Sequence, residues 1–352
     1  DKVIRYGLGA VKGTGQQAIE AIIAAREGRG EGPRGGDHGP FKSLFDFCVR
    51  VDRARINKRT VEALIKAGAF DALQLNRAAL VASIDRAFDF AAAQLANANQ
   101  GGLFDMMGED AVGSSTQEPD LADATPWGIK ERLMQEKTAV GFYLSGHLFD
   151  EVQQEVRRFV RTPIAELGDS RETQVLAGIV SDSRQINGQR GKLALFKIDD
   201  KSAVIEASAD EAVIAASGAM LKDDEFVVLS GRLQLDHFSG GLRLKVQQVW
   251  DLGAARARFG RYLLVDANGD AKPDVAALVR EFPPRREETD QGKMLVHGLR
   301  VRMGVHCQGA GGAADAELQL GEASRFFPSD AALAAWGAQA GSSNISVVYE
   351  SA

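Results

Sequence analysis

Two glycines separated by one residue precede a predicted helix near the start of the chain, and this pattern is suited to binding phosphate. The segment Val11–Gly15 reads Val-Lys-Gly-Thr-Gly, and Ala18 follows in the apolar stripe of the helix. Glycines let the backbone approach a phosphate closely, and the N–H groups that open the helix hydrogen-bond its oxygens. We predict that Lys12, Gly13 and Gly15 contact duplex DNA. A tight helix connection alone would need the same glycines.

A basic stretch just before another predicted helix favours the same chemistry. Residues 50–66 contain six basic and two acidic residues. Solvated helix faces also carry such runs, but together with the glycine turn the run favours sequence-independent, salt-sensitive binding to the duplex backbone. The further predicted contacts are Arg53, Arg55, Lys58 and Arg59.

A short apolar cluster lies in a polar, glycine-rich stretch. Residues 93–125 change from Ala, Asn and Gln to Gly and Ser, which predicts a flexible linker. Within it, Gln100-Gly-Gly-Leu103-Phe104 resembles the Gln-x-x-Leu-Phe peptide that binds the bacterial sliding clamp. Leu103 and Phe104 would fill an apolar groove, with the Gln100 amide at its edge. Alternatively, the two apolar side chains fix the linker to a domain.

Alternating apolar and polar residues predict short strands over residues 173–252, with a helix near 209–220, and hence a small closed barrel. Such barrels often bind single-stranded nucleic acid through a basic groove and stacked aromatic rings. Phe196 alternates in phase with Ala194 and Ile198, so it also fits a core position, and we expect single-strand binding to be modest. The candidate residues are Arg184, Arg190, Lys192, Phe196, Arg243 and Lys245.

No catalytic residue, metal site or cofactor is predicted in this chain. The acidic pairs Asp199-Asp200 and Asp223-Asp224 fit turns at predicted strand ends. Two-metal phosphoryl transfer needs carboxylates that converge on ions about 4 Å apart. The five histidines are scattered, and none lies four residues from another, which disfavours a metal site.

Composition and charge set limits on the class of protein. The 352 residues are 45% hydrophobic and 26% charged, with two distant cysteines, which fits a reducing cytoplasm and no membrane contact. The net charge is −6, yet residues 1–70 hold 13 Lys and Arg against 8 Asp and Glu. Because charges act over a Debye length of about 10 Å, this local excess matters more for DNA binding than the overall sign.

The elements that must position these residues form a multidomain α and β chain. We predict a helical domain over 1–92, with a mobile glycine-rich loop at Gly28–Gly39, and then the linker over 93–125. A helical connector is predicted over 126–170 and the barrel over 171–253. Residues 254–352 show a β-α-β-β-α-β order, typical of a split-βαβ α+β domain.

Four stretches resemble bacterial DNA polymerase III alpha subunits, in the order in which that family has them. The resemblance covers the whole chain, more loosely after residue 253. It departs from the family just after the third stretch, Glu136–His147, where the family continues with proline and this chain has Leu148. The stretches are Ile4–Gly15, Asn57–Asp71, Glu136–His147 and Asp236–Leu242.

The resemblance implies that the chain is the C-terminal portion of such a subunit. It implies a helix-hairpin-helix region that binds duplex DNA, a clamp-binding peptide, an oligonucleotide-binding (OB) barrel and a C-terminal domain that binds the tau subunit of the clamp loader. The family's catalytic aspartates and their Mg²⁺ lie in an upstream palm domain. We therefore expect this chain, which starts at Asp1 rather than Met, to be part of a longer polymerase and inactive alone.

Two alternatives stay open: an error-prone polymerase of the same family, and a DNA-repair accessory binding protein. The segment Gly28–Gly39 is longer than the family leads us to expect. The segment Gln308–Gly312 is unusually glycine-rich for a surface that binds tau. The clamp peptide and the full C-terminal domain favour the replicative form. A NAD-dependent DNA ligase is excluded, because the chain lacks both a Lys-x-Asp-Gly nucleophile and four cysteines for zinc.

Overall fold

The computed structural model describes residues 6–31, 34, 36–104, 117–168, 170, 172–188, 191–235, 241–268, 273–288, 292–309, 312–340 and 345–350. The chain forms two compact units, residues 1–148 and 149–352. The first unit is built around one hydrophobic core, and the second around two.

The first unit is helical. Its helices are α1 (Gln16–Arg26), α2 (Leu44–Arg50), α3 (Lys58–Lys66), α4 (Arg77–Ala82), α5 (Ile84–Phe104) and α6 (Ile129–Val140). Apolar residues at helical spacing meet in its core, where the ring of Phe47 packs edge-on against Phe41 and Phe70 with 5.0 Å between centroids in both pairs. This burial stabilises the short helices, which would be marginal alone in water.

Local sequence signals set where several of these helices begin and end. The cap residues Ser43, Asn57 and Asn76 each accept a hydrogen bond from the N–H group three residues later. Gly68, just past the end of α3, has a φ of +82°, and the N–H groups of Gly68 and Ala69 bond back to carbonyls of the last turn at 2.9 Å. This Schellman arrangement requires a left-handed residue, which glycine adopts without strain.

Arg50 contacts the described part of the glycine-rich loop Gly28–Gly39, which the sequence predicts to be mobile. The Arg50 guanidinium is buried and donates to the carbonyl oxygens of Asp37 and Gly39 at 3.1 and 2.9 Å. It also donates to the carbonyl of Ala25 in α1 at 3.0 Å. A loop that supplies the hydrogen-bond acceptors of a buried charge is held in place by that charge.

The segment 93–125, predicted to be a flexible linker, is helical at its start and packed at its end. Helix α5 continues through residues 93–104, although the asparagines and glycines of this stretch have lower helix propensity than its alanines. The Ala122 N–H donates to Ser83 Oγ, and Asn76 Nδ2 donates to the Ala124 carbonyl, both at 2.8 Å. Leu121 packs on the core of the unit. Residues 105–116 lie outside the described residues.

The second unit opens with α7 (Gln153–Val156) and then forms the predicted closed barrel. Its elements are β1 (Thr173–Gly188), β2 (Gly191–Asp199), β3 (Val204–Ala209), α8 (Glu211–Ser217), β4 (Phe226–Leu235) and β5 (Leu242–Trp250). The strand order β1-β2-β3-β5-β4 is antiparallel except for the β3–β5 pair. Five strands in this closed order, with a helix between β3 and β4, make an OB fold.

A second sheet follows the barrel. Its elements are α9 (Leu252–Phe259), β6 (Gly260–Asn268), α10 (Val275–Glu281), β7 (Arg285–Glu288), β8 (Met294–His297), β9 (Arg300–Gly309), β10 (Gly312–Gln319), α11 (Asp330–Ala340) and β11 (Ile345–Tyr349). The main sheet has the order β10-β9-β6-β11, and β7 and β8 form a separate hairpin.

This C-terminal domain is α+β as predicted, but the split-βαβ topology is wrong. In a split unit another strand separates the two strands of the βαβ, whereas here β6 and β9 pair directly and in parallel. The second strand of the predicted order is in fact two strands, β8 and β9, that belong to different sheets. A backbone break at Gly298–Leu299 is invisible to hydrophobic alternation, which detects strands but not their partners.

The segment 126–170, predicted to be one connector, is divided between the two units. Helix α6 places Ala139 in the core of the first unit. Ile164 packs in the barrel core, and Phe159 packs against the core of the C-terminal domain. Each half of the segment therefore completes a core of its own unit.

Candidate nucleic-acid interface

The predicted glycine turn has the geometry that a phosphate-binding hairpin needs. Gly13 has a φ of +81°, a left-handed conformation that disfavours other residues, and Gly15 precedes α1 in an extended conformation. No side chain caps α1, so the N–H groups of its first turn face outward without a capping side chain. The Lys12 N–H donates to the Ala139 carbonyl at 2.7 Å, which fixes the turn against α6.

A second helix start lies beside this turn. Thr60, in the first turn of α3, directs its Oγ1 toward the Gly13 carbonyl at 3.5 Å. Lys58 and Arg59 occupy the same turn of α3 and are exposed. The structure therefore brings the predicted residue Gly13 close to the first turn of α3, which carries the predicted residues Lys58 and Arg59 and the partial positive charge of a helix N-terminus.

The cations at this place differ in how free they are. A hydrogen bond from the Lys58 ammonium to Asp85 raises the pKa of Lys58 and occupies its charge. No carboxylate pairs with Arg59 among the residues that the structure describes. The Lys12 ammonium lies near Gly141, just past the end of α6, where the helix dipole favours a cation. Arg59 is thus the cation most available to a phosphate.

The remaining members of the basic run are more dispersed. Arg55 pairs with Asp52 at 3.6 Å and lines a shallow groove along α1, which Gln17 and Glu20 also line. Arg53 lies over the Phe88 ring instead, 5.8 Å from its centroid. Arg50, which opens the run, is buried and bonded to carbonyls, so it is not available to DNA. Exposed pairs such as Arg55–Asp52 are weak and can open to bind phosphate.

On the barrel, the structure overturns one predicted contact and leaves another undescribed. Phe196 is 2% exposed and packs in the barrel core, so its assignment to a stacking surface is wrong. It faces inward because the alternation along β2 puts it in phase with Ala194 and Ile198. Arg190 lies outside the described residues. Arg184, Lys192 and Lys245 are exposed.

Acidic neighbours reduce the positive charge of the barrel surface. Arg243 is held by Glu206 on the adjacent strand, with 2.5 Å between Nη2 and Oε2. Lys197 pairs with Asp182 at 2.7 Å, and this hydrogen bond lowers the pKa of the Asp182 carboxyl. The predicted basic groove is therefore a surface of mixed charge, which agrees with the expectation of modest single-strand binding.

Two residues of these surfaces were missed from the sequence. Arg232 on β4 is exposed and lies directly opposite Lys245 on β5. The alternation of Arg232-Leu-Gln-Leu235 predicts that Arg232 points outward. The position of Lys245 beside it depends on the register between β4 and β5. Thr60 was missed because its role depends on a contact with Gly13, which lies forty-seven positions earlier in the chain.

Metal and membrane sites were searched among the described residues. No group of three or more His, Cys, Asp or Glu side chains there is arranged to hold a metal ion. Within the same residues, no helix is both long enough and apolar enough to cross a membrane.

The sequence is similar to that of a known replication protein. A family model described as a helix-hairpin-helix motif matches residues 1–80. The chain is 43% identical over 266 residues to the DNA polymerase III subunit alpha of Neisseria meningitidis serogroup B, a match to 75% of this chain. It is 37% identical over 370 residues to the same subunit of Pseudomonas aeruginosa, a match to 99% of this chain. This chain is a relative of the DNA polymerase III alpha subunit.

The matched region is the C-terminal part of the alpha subunit, as the four stretches had predicted. The chain spans only 22% and 29% of the lengths of the Neisseria and Pseudomonas subunits. Among solved structures it matches the second OB-fold domain of replication protein A from Methanococcus maripaludis, at 16% identity over 26% of this chain and 93% of that one, with a TM-score of 0.21. A single-stranded-DNA-binding domain from Synechococcus matches at 18% identity over 24% of this chain and 98% of that one, with a TM-score of 0.21. The OB assignment rests on the strand order of the barrel.

One alpha-subunit stretch, Glu136–His147, has a clear structural role. Glu136 is fully buried in α6 and accepts hydrogen bonds from the N–H groups of Leu144 and Ser145 at 2.8 and 2.9 Å. Arg77 of α4 donates to the same carboxylate at 2.9 Å and also holds Asp71. Burial raises the pKa of Glu136, but hydrogen bonds from Ser145, Arg77 and Leu144 outweigh it and leave the pKa below its usual value.

This buried carboxylate therefore ties the end of α6 to the rest of the unit. Because Lys12 bonds to the carbonyl of Ala139 in the same helix, the position of the glycine turn depends on α6. The stretch Glu136–His147 therefore helps to hold the glycine turn in position.

Proposed function

We propose that this chain is the DNA-binding, non-catalytic part of a replicative DNA polymerase III alpha subunit, and that its first unit holds duplex DNA by the phosphate backbone. The observation that carries the proposal is the approach of Thr60 to Gly13, which places the glycine turn beside the first turn of α3. Two helix N-termini and a nearby free cation form a site for adjacent phosphates. Contacts of this kind read no sequence.

Duplex binding is tested by fluorescence anisotropy with a labelled 20-base-pair DNA, titrated at several salt concentrations. Arg59→Gln should weaken binding severalfold and reduce the slope of log K against log salt by about 0.9, the value for one lost phosphate contact. The matched control is Arg26→Gln, since Arg26 is exposed at the other end of α1, about 16 Å from Gly15 at 1.5 Å per residue. Equal losses in the two variants would show a diffuse charge effect and refute the site.

The barrel supports a weaker second contact, to single-stranded DNA. Arg184, Lys192, Lys245 and Arg232 are among its exposed cations, and Glu206 and Asp182 pair with the neighbouring Arg243 and Lys197. Backbone phosphates satisfy such cations without base recognition. We propose that the barrel guides the template strand near the duplex and contributes little affinity by itself.

We also propose that Gln100, Leu103 and Phe104 bind the sliding clamp. Their side chains lie outside the described residues, and the backbone there is the C-terminal end of α5. The supporting observation is the Gln-x-x-Leu-Phe spacing in a relative of the alpha subunit. A peptide that binds such a groove would have to leave the helix, so affinity would include the cost of unwinding this last turn.

The clamp contact is tested by surface plasmon resonance against immobilised bacterial sliding clamp. Changing Gln100, Leu103 and Phe104 together to alanine should abolish binding, whereas the helix should persist because alanine favours it. If the unmodified chain shows no clamp affinity, the peptide assignment fails, and an error-prone relative of the polymerase becomes the better interpretation. The same assay with the tau subunit tests the proposal that residues 254–352 bind the clamp loader.

A further inference from the structure

The outer edge of the C-terminal sheet combines two features that suit a peptide ligand. Strand β11 (Ile345–Tyr349) is the last strand in the order β10-β9-β6-β11, so one of its edges has no strand partner within the described residues. A shallow groove of about 520 Å³ runs along this strand and is lined by Ser346–Glu350 on one side. An unpaired strand edge presents a row of N–H and C=O groups to another extended chain.

Three arginines form the other side of this groove: Arg157, Arg158 and Arg161. Arg157 is committed to Asp200 at 2.6 Å. Arg158 and Arg161 are exposed, and no carboxylate pairs with either among the residues described. Arg161 donates a weak hydrogen bond to the Glu350 carbonyl at 3.4 Å, at the end of the strand. The groove therefore has an excess of positive charge, with Glu350 as its acidic residue.

We propose that β11 and this arginine wall, Arg158 and Arg161, bind an acidic peptide of a partner protein, which adds to the sheet as a fifth strand. The five residues of β11 match a peptide of about five residues, roughly 17 Å long when extended. Main-chain hydrogen bonds to the open edge supply affinity, and the arginines select carboxylates. The proposal does not rest on the DNA-binding function of this chain.

Nucleic acid fits the groove less well than a peptide. Phosphates would satisfy Arg158 and Arg161, but they offer no row of alternating donors and acceptors to the open edge of β11. A simpler alternative is that the two arginines protect the open edge, because charges on an edge strand discourage pairing with other chains. Protective charges would repel basic strands and leave no saturable site for acidic ones.

The test uses the whole chain and fluorescein-labelled peptides, read by anisotropy at low salt. The probe alternates glutamate and valine over six residues, and its control alternates lysine and valine. We expect saturable binding of the glutamate peptide and none of the lysine peptide. Methylating alternate backbone nitrogens of the glutamate peptide should weaken binding at least tenfold, because the charge is kept while main-chain donors are lost.

Variants of the chain complete the test. Replacing Arg158 and Arg161 by glutamate should weaken the glutamate peptide at least tenfold, whereas replacing both by lysine should retain most binding. Both variants should melt like the unmodified chain, because these side chains are exposed. The proposal is overturned if the glutamate peptide does not bind, if N-methylation has no effect, or if a single-stranded oligonucleotide displaces the peptide and depends on the same arginines.

Discussion

Replacing Arg50 by methionine should loosen the first unit, although Arg50 belongs to a basic run that otherwise favours DNA contact. The variant removes hydrogen bonds to the carbonyls of Ala25, Asp37 and Gly39, and it leaves the Asp46 carboxylate buried without its 3.2 Å partner. Breaking a buried ion pair from one side costs about 3–5 kcal/mol. We expect a loss of that size in the free energy of unfolding.

The nearby thiol of Cys48 provides the assay. Cys48 is 1% exposed, and burial raises its pKa to about 12 despite the opposing charge of Arg53, so the thiol reacts only when the unit opens. In a Cys307→Ser background, the rate of modification by a thiol reagent reports this opening. A loss of about 3–5 kcal/mol raises the rate about 10²- to 4 × 10³-fold, at roughly 1.4 kcal/mol per tenfold change.

Arg59→Met is the matched control, because it removes the same charge from an exposed position. It should change stability by less than about 0.5 kcal/mol and leave the Cys48 rate within about threefold, while still weakening DNA binding. If Arg50→Met leaves Cys48 as protected as in the unmodified chain, the buried guanidinium does not hold the loop. The division of the run into structural and DNA-binding residues would then be refuted.

Three further outcomes follow from the same contacts. Glu136→Gln should destabilise the first unit at neutral pH by about 1–3 kcal/mol. Because the folded pKa of Glu136 lies below 4.5, its stabilisation is present above pH 4.5 and lost as pH falls through the folded pKa, so urea midpoints of variant and parent should converge in acid. Arg256→Met, which leaves Glu155 and Asp330 without their buried partner, should lower the unfolding midpoint of the second unit, while Arg300→Met should not; the readout is the fluorescence of the buried Trp336 in a Trp127→Phe, Trp250→Phe background. Lys245→Gln should reduce the salt slope of single-strand binding by about 0.7 without changing duplex binding.

The sequence was sufficient for features that depend on neighbours along the chain. The glycine turn before α1, the Gly68 end of α3 and the alternation of β2 are all local patterns, and the structure has each of them. The alternation of β2 also fitted a core position for Phe196. The sequence therefore allowed two interpretations of this residue, core and stacking surface, and only the first is correct. Long matches to one family carried the assignment to the alpha subunit, which composition alone would not give.

Other features depend on which segments meet in space. Basic residues look alike in sequence, but burial makes Arg50 a structural anchor while Arg59 remains free, and an acidic neighbour on another strand neutralises Arg243. Strand alternation likewise predicted a C-terminal sheet without saying that β6 and β9 pair directly. Local sequence therefore determined the elements and the family of this protein. Only the tertiary structure decided which charges face solvent and which strand edge stays open, because burial and pairing are set by residues far apart in the chain.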